Sequence, residues 1–460
     1  MTIIKSISGI RGTIGGYSNE NLTPIDAVKY AASYGTFLKN KYPKKEIKVV
    51  IGRDARISGK MIQNLVQNTL VGMGINCVDL GLSTTPTVEV AIVRENALGG
   101  IVLTASHNPK NWNALKLLNK KGEFLNAKDG DQILLIAKRN SFIFSDIDNL
   151  GSINVNTSYI DYHINEVLNL RFTNIEAIKK FNFTIVVDGI NSTGGIIIPK
   201  LLEKLGVNCI PLYCDPNGDF SHNPEPLEEN LTELSKAVIY NKADLGIVVD
   251  PDVDRLAFID ENGEMFGEEY TLVACADYIL SKQLGNTVSN LSSTLALSEI
   301  TKKYGGKYFA SAVGEVNVVE LMKKTNAIIG GEGNGGVILP EFHYGRDALV
   351  GIVLFLSLLA EKKISVSKLK KTYPKYYSSK NKITLKPNID VDSVLAKIIN
   401  RYQEKNPITI DGVKINFNNS WVHLRKSNTE PIIRIYSEAP TKQKAKKLSK
   451  VFIEELKNFI

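Results

Sequence analysis

The chain predicts an α/β protein with mixed, mostly parallel sheets, followed by a smaller α+β domain. Strand and helix signals alternate as far as Tyr373-Pro374, the pattern of βαβ units. The runs 99–103 and 245–249 are continuously apolar, as expected of strands covered on both faces. Beyond Pro374 strands dominate, at 382–385, 413–417, 421–424 and 432–436, with helices at 391–404 and 440–458. A length of 460 residues suits three or four domains at roughly 150 residues each.

Thr23-Pro24 opens the first helix, with Thr as N-cap and an apolar face of Ile25, Val28, Ala32 and Phe37. A strand at 47–51 follows, then a helix capped by Ser58 and closed by Gly74. Next come a strand at 76–80, a helix at 88–94 and the strand 99–103. Residues 127–156 are polar without a clear period, which places a first boundary near 150. The alternation restarts with strand 183–187, helix 193–205, strand 207–212, helix 227–240 and strand 245–249. A third block, 256–370, begins with strand 256–259 and carries helices near 268–283, 295–304, 315–325 and 346–360. The expected domains are therefore 1–150, 151–255, 256–370 and 371–460.

Composition narrows the function. Lys and Arg exceed Asp and Glu by 56 to 48, a mild excess that suits anionic small molecules and, without a recognition motif, does not argue for nucleic acid. The four cysteines lack a metal-ligand spacing and are expected to be reduced thiols of a cytoplasmic protein. The longest mostly apolar run, Ala348 to Ala360, is too short to span a bilayer.

Chemistry concentrates in four loops. Thr104-Ala105-Ser106-His107-Asn108-Pro109 follows a buried strand, where α/β proteins commonly bind ligands. Asp250-Pro251-Asp252-Val253-Asp254-Arg255 offers three carboxylates at alternating positions, a set of hard oxygen ligands suited to Mg²⁺. It is not an EF-hand, because Arg255 takes the glycine position and no helix flanks the loop. Gly330-Gly331-Glu332-Gly333-Asn334-Gly335-Gly336 combines close backbone approach with hydrogen-bonding groups suited to a polyhydroxyl ligand. Arg425 to Pro431, with Arg434, supplies guanidinium forks, hydroxyls and an amide for a dianion. Near these, Arg11 lies between glycines, and Arg53 and Asp54 read as an ion pair holding a loop. Ser221-His222-Asn223-Pro224 repeats the tetrapeptide at 106–109. It lacks a preceding buried strand and has acidic neighbours, so Ser106 is the expected reactive serine.

In this order the loops resemble the α-D-phosphohexomutase family, which contains phosphoglucosamine mutases, phosphomannomutases and phosphoglucomutases. The resemblance runs from Gly9-Ile10-Arg11-Gly12 to Arg434. It implies three related α/β domains and a fourth, phosphate-gripping domain around a central cleft. It implies that Ser106 carries a phosphoryl group and that Asp250, Asp252 and Asp254 hold Mg²⁺, with the phosphoserine supplying a further ligand. Arg11, Lys116 and Arg255 match positions near the transferring phosphoryl group, and His107 and Lys116 are candidates for handling the sugar hydroxyl's proton. Glu332, Asn334 and Gly335 match the sugar loop; Arg425, Ser427, Asn428, Thr429 and Arg434 match the loop that binds the non-reacting phosphate. A bisphosphosugar is implied as intermediate and activator.

The chain departs from commoner versions at Ser6-Ile7-Ser8, at Ala114 in Asn113-Ala114-Leu115-Lys116, at Asn428, and at Asn334 and Gly336, which replace a serine and a histidine. The implied activity is a phosphoglucosamine mutase acting on a phosphosugar as a monomer or homodimer, with no nucleic-acid or membrane partner. The alternatives are a phosphomannomutase/phosphoglucomutase and, more remotely, a non-catalytic sugar-phosphate sensor.

Overall fold

The structure is a computed structural model that describes residues 2–6, 9–385, 389–426 and 432–459. The chain divides into two compact units, one of residues 1–271 and 334–367, the other of 272–333 and 368–460.

The first unit contains a seven-stranded sheet in the order Ile4–Ser6, Gly9–Thr13, Trp112–Asn119, Gly99–Leu103, Lys48–Arg53, Asn76–Leu82, Ile153–Val155. Side chains alternate across a strand, and the core divides accordingly. Val49, Ile51, Ile101 and Leu103 pack with helices Pro24–Lys41, Gly59–Gly72 and Ala127–Arg139, whereas Val50 and Val102 pack with Thr85–Arg94 and Tyr159. The sheet is more evenly mixed than the alternation suggests. Gly99–Leu103 runs parallel to Lys48–Arg53, but Trp112–Asn119 returns antiparallel beside it. The link between them, 104–111, is too short for a parallel crossover, which needs a dozen or more residues. The second sheet repeats this device. Leu245–Val249 runs parallel to Thr184–Asp188, and Leu256–Asp260 returns antiparallel across the short link 250–255. The serine loop and the acidic loop are thus tight connections between adjacent antiparallel strands.

In the second unit Tyr308–Ser311, Asn286–Asn290 and Ala327–Glu332 pair in parallel. The chain ends in an antiparallel sheet, Tyr377–Thr384, Ile432–Ala439, Trp421–Lys426, Val413–Asn416, with Val391–Arg401 and Lys442–Phe459 contributing to its core. Among the described residues no helix is long and apolar enough to cross a membrane.

Several expectations are corrected. Residues 127–156 hold the helix Ala127–Arg139, capped by Asn126, and the edge strand Ile153–Val155. The helix expected at 227–240 is a short 3-10 turn followed by Thr232–Tyr240. Thr23 caps the first helix as expected, in a reciprocal capping box with Asp26. Of its expected face Ala32 and Phe37 are buried, Val28 is half-buried and Ile25 is exposed, and Ala27, Tyr30, Ala31, Tyr34 and Leu38 are buried with them. Tyr34 joins this face because it can bury its ring and still donate its hydroxyl to the Leu118 carbonyl at 2.7 Å. Ser58 stands at its helix N-terminus without capping it; its Oγ accepts from the Asn113 amide at 2.9 Å.

Phe258 and Phe355 are fully buried and stack with ring centroids 3.8 Å apart, with Phe266 edge-on to both. Phe258→Ala should cost about 3–5 kcal/mol in urea unfolding; a loss below about 1 kcal/mol would show that this cluster does not anchor the strand behind the acidic loop.

Candidate active site

Ser106 has φ of 49°, in the left-handed region, where a serine sits only if its surroundings hold it. They do so from two sides. Its amide donates to Thr104 Oγ1 at 2.9 Å, and that hydroxyl donates to Asp54 Oδ2 at 2.6 Å. Arg56 Nε meets the same Asp54 oxygen at 3.0 Å, with both side chains fully buried. The Arg56 fork then donates to four carbonyls of the loop: Ser106 and Asn108 from one nitrogen at 2.6 Å each, Pro109 at 2.6 Å and Trp112 at 2.9 Å from the other. The ion pair is therefore Asp54–Arg56. Arg53, expected to pair with Asp54, instead donates from Nε to Gln63 and from its terminal nitrogen to the Asp54 carbonyl. A serine loop that needs several carbonyls satisfied at once suits a planar five-donor fork.

The Ser106 hydroxyl so placed donates to Asp250 Oδ2 at 2.6 Å. Asp250 Oδ1 accepts the amides of Asp254 and Arg255 at 3.2 and 3.1 Å, which folds the loop back over its first carboxylate. Val253 at the bend has φ of 63°, a costly conformation for a β-branched residue. It is completely buried, and its carbonyl accepts the Ala348 amide. The loop is also fixed to its neighbours by Ser192 and Thr193, whose hydroxyls donate to the Pro251 carbonyl, and by the Thr85 amide on the Asp252 carbonyl.

Asp250, Asp252 and Asp254 are buried, and one ligand atom from each lies within 4.8 Å of the others. Like charges this close need cations. Lys116 Nζ donates to Asp252 Oδ2 at 2.6 Å and to Asp254 Oδ2 at 3.3 Å. Arg346 donates to Asp254 Oδ2 at 2.8 Å, and Arg255 Nε is 4.0 Å from Asp250 Oδ2. The Thr85 hydroxyl also donates to Asp252. Burial would raise Asp254, but Arg346, Lys116 and Arg255 hold it below the usual carboxylate range. Burial and then the other two carboxylates push Asp250 well above it. Burial disfavours the Lys116 charge, yet Asp252 and Asp254 outweigh it and raise the ammonium above its ordinary value. Asp252 Oδ1 and Asp254 Oδ1 are buried with no hydrogen-bond partner among the described residues. Orphaned carboxylate oxygens at such depth fit a hard cation.

His107 Nδ1 lies 3.3 Å from Ser106 Oγ. Burial, then Arg255 and Arg11, lower its pKa well below the usual imidazole value. Arg11 reaches Asn108 Oδ1 at 3.5 Å, and Arg255 reaches Glu225 at 3.3 Å. The first unit therefore brings together Arg11, Ser106, His107, Lys116, the three aspartates and Arg255. Ser221 lies apart on an exposed turn, with His222 paired to Asp188 at 2.8 Å.

The glycine-rich stretch is less of a loop than expected. Gly330, Gly331 and Glu332 belong to the strand Ala327–Glu332, and Gly336 begins the strand Gly336–Ile338. Within the second unit Glu332 is buried and accepts from the Asn290 amide at 2.8 Å and the Gly314 N–H at 3.1 Å. In the first unit Asn334 Oδ1 accepts the Gly336 N–H, and Gly335, at φ of 87°, accepts the Leu256 N–H on its carbonyl at 3.1 Å. Arg425 and Arg434 face each other across adjacent strands, and Asp411 accepts from Arg425 Nε at 3.0 Å. Ser427, Asn428 and Thr429 lie outside the described residues.

Four successive segments match the domains of one family. Residues 4–144, 158–263 and 267–377 match the phosphoglucomutase/phosphomannomutase alpha/beta/alpha domains I, II and III, and 382–455 match its C-terminal domain. The chain belongs to the phosphoglucomutase/phosphomannomutase family. It is accordingly a phosphohexomutase, an isomerase-type phosphotransferase. A phosphoglucomutase/phosphomannomutase of Thermococcus kodakarensis is 35% identical, over 97% of this chain and 98% of its own length. A probable phosphoglucosamine mutase of Pyrococcus horikoshii is 34% identical, over 96% of this chain and 95% of its own. The crystal structure of a family member from Burkholderia thailandensis shares the fold with a TM-score of 0.84 at 22% identity, covering 99% of this chain and 98% of that one.

Sequence reasoning missed Arg56, Thr85 and Arg346. Arg56 stands in Gly52-Arg53-Asp54-Ala55-Arg56, where the nearer arginine drew attention; i,i+2 spacing after a strand leaves either arginine able to turn back on Asp54. Nothing in the sequence near Thr85 or Arg346 points to residues 252–254.

His343 lies behind Arg346. Its Nε2 is 3.1 Å from Asp347 Oδ2 and its Nδ1 is 3.2 Å from Glu89 Oε2, and His163 Nε2 meets the same Asp347 oxygen at 2.8 Å. Burial opposes the His343 charge, but Asp347 and Glu89 outweigh it and raise its pKa to about 10. A raised folded-state pKa contributes stability that is complete below the ordinary imidazole value and is lost as pH rises through about 10. The unfolding free energy of His343→Gln should therefore lose less than that of the unmodified protein between pH 7 and 10; parallel pH profiles would contradict a charged His343. Separately, Arg56→Ala should cost about 3–5 kcal/mol in urea unfolding, because Asp54 stays buried without its partner. A loss under about 1 kcal/mol would show that Arg56 does not hold the serine loop.

Proposed function

We propose that the protein is a phosphoglucosamine mutase that interconverts glucosamine 6-phosphate and glucosamine 1-phosphate through a phosphorylated Ser106. The observation that carries this is the Ser106 hydroxyl on Asp250, in a pocket of three buried carboxylates matched by buried cations. Phosphoryl transfer is largely positioning and charge neutralisation, and a seryl phosphate of about −1.5 to −2 charges needs both.

Asp250, Asp252, Asp254 and phosphorylated Ser106 would hold Mg²⁺, which when bound neutralises the phosphoryl oxygens. Arg11, Lys116 and Arg255 surround the group in transfer. As the sugar hydroxyl attacks phosphorus, the bond from phosphorus to Ser106 Oγ breaks and the hydroxyl proton leaves. His107 and Lys116 are the two groups for that proton. Lys116 already donates to Asp252 and Asp254, whereas His107 is beside the serine oxygen. Glu332, Asn334 and Gly335 would bind sugar hydroxyls. Arg425, Ser427, Asn428, Thr429 and Arg434 would bind the non-reacting phosphate. The cross-strand pairing of Arg425 with Arg434 sets two guanidinium groups beside each other with Asp411 on Arg425, and a dianion would add to the balance that like charges directly opposite call for. The bisphosphosugar formed first then returns its other phosphate to Ser106, so a 1,6-bisphosphate acts as activator. The reading places the enzyme in the cytoplasm, with the four domains divided at about 150, 255 and 370.

The Gly-Glu-Gly-Asn-Gly-Gly stretch resembles a branch that holds phosphoglucosamine mutases and phosphomannomutase/phosphoglucomutases alike, and the Pyrococcus relative favours an amino sugar. The Thermococcus relative favours the second reading, a phosphomannomutase/phosphoglucomutase. Rates on glucosamine, mannose and glucose 1-phosphates, with Mg²⁺ and a bisphosphosugar present, separate the two: the highest kcat/KM should fall on glucosamine 1-phosphate, and a clear preference for mannose or glucose overturns the amino-sugar assignment. Intact mass should show one phosphate, absent from Ser106→Ala, which should lose at least a thousandfold in kcat. Ser221→Ala should retain activity. A protein that never carries phosphate and turns over none of the three sugars would be a sensor.

A further inference from the structure

Arg346 enters the acidic loop from just before the helix Ala348–Lys362. Its guanidinium donates to Asp254 Oδ2 at 2.8 Å, the oxygen that also accepts from Lys116, and the other Asp254 oxygen is buried without a hydrogen-bond partner among the described residues. The aliphatic part of Arg346 passes Gly336 so closely that a β-carbon there would stand 2.3 Å from its Cδ and 3.0 Å from its Cγ. Gly336 has no positive φ to explain it, so the space for Arg346 is what its missing side chain provides.

The segment that carries Arg346 is fastened on both sides. Asp347 donates its N–H to the Val337 carbonyl at 2.8 Å, caps the helix Ala348–Lys362 through Oδ1, and receives His163 and His343 on Oδ2. A β-carbon at Gly345 would lie 1.8 Å from Glu89 Oε2, the carboxylate oxygen that faces His343. Glu89 belongs to the helix Thr85–Arg94, whose first residue contacts Asp252 through both hydroxyl and amide. The Ala348 N–H donates to the Val253 carbonyl. Segment 345–348 therefore meets the acidic loop by backbone and by side chain, braced by a buried Glu89–His343–Asp347–His163 row.

We propose that Arg346 is a positioning residue of the metal loop, holding Asp254 by one oxygen so that the other faces the cation, and that position 336 is glycine to admit it. The inference rests on the metal-dependent mutase assignment and concerns residues which that assignment does not use. Positioning and plain charge predict opposite results. Loss of a positive charge alone tightens binding of a dication, whereas loss of carboxylate orientation loosens it, commonly by tenfold or more.

The test is calorimetric titration of Mn²⁺ into the full-length, dephosphorylated protein and its Arg346→Gln, Arg346→Lys, Gly336→Ala and Arg346→Gln/Gly336→Ala variants. Arg346→Gln and Gly336→Ala should each weaken Mn²⁺ about tenfold, Arg346→Lys less. The double variant should be no weaker than Arg346→Gln, because the two changes remove one contact. Circular dichroism checks that each variant folds, and Gly336→Ala, which leaves the arginine in place, carries the test if Arg346→Gln does not fold. Unchanged or tighter binding in both single variants overturns the proposal, as does an additive double variant. A wild-type protein that binds no Mn²⁺ overturns it together with the metal assignment, whereas binding that is indifferent to residues 336 and 346 overturns the positioning role alone.

Discussion

Three carboxylates buried on five consecutive residues are the constraint on which the first unit depends. An ionised carboxylate out of water costs several kcal/mol unless it is paired, and here Asp250, Asp252 and Asp254 also repel one another. The surroundings answer this in kind. Lys116 comes from the strand after the serine loop, Arg255 from the loop itself, Arg346 from the start of a buried helix, and the Thr85 hydroxyl from the helix Thr85–Arg94. Each of these groups is brought in by a different element, so their packing and the acidic loop are mutually dependent. Asp252 Oδ1 and Asp254 Oδ1 still lack a partner among the described residues. That residual demand, beside three like charges, suits the loop to a further hard cation.

The backbone plan serves the same end. A parallel α/β unit places its loops at strand ends but separates successive loops by a helix. Here the strands before the serine loop and the acidic loop each pair in parallel on one side and antiparallel with the following strand on the other. The loops at 104–111 and 250–255 are short and tied at both ends. Ser106 and Val253 can then be held at positive φ by hydrogen bonds from neighbouring segments. The position of Ser106 is thus set by rigid elements, as efficient positioning demands.

This explains which parts of the protein were legible in the sequence. The βαβ alternation, the apolar strands 99–103 and 245–249 and the dense loops after them follow from local periodicity and composition, and the structure has them. Lys116 was reached only through its likeness to a known motif, because residues 136 and 138 positions apart carry no local sign of contact. The helix Ala127–Arg139 was missed because only Gly130, Ile133 and Ala137 are buried on it, too sparse a stripe to read. The Asp54 pairing was misassigned between Arg53 and Arg56 because both flank the carboxylate in sequence and only the surrounding carbonyls choose between them.

Glycines mark the remaining gap between sequence and site. Gly335 is legible by conformation, since it adopts a positive φ and a β-carbon there would stand 2.2 Å from the Leu256 carbonyl oxygen. Gly336 beside it is different, because its backbone would accept any residue and what excludes a side chain is an arginine ten positions later. A sequence-level argument from turn chemistry treats the two alike. Only the three-dimensional neighbour separates a glycine kept for the chain's path from one kept for another residue's charge. In a loop whose function depends on balancing three buried anions, the second kind of glycine belongs to the electrostatics of the site as much as the cation it admits.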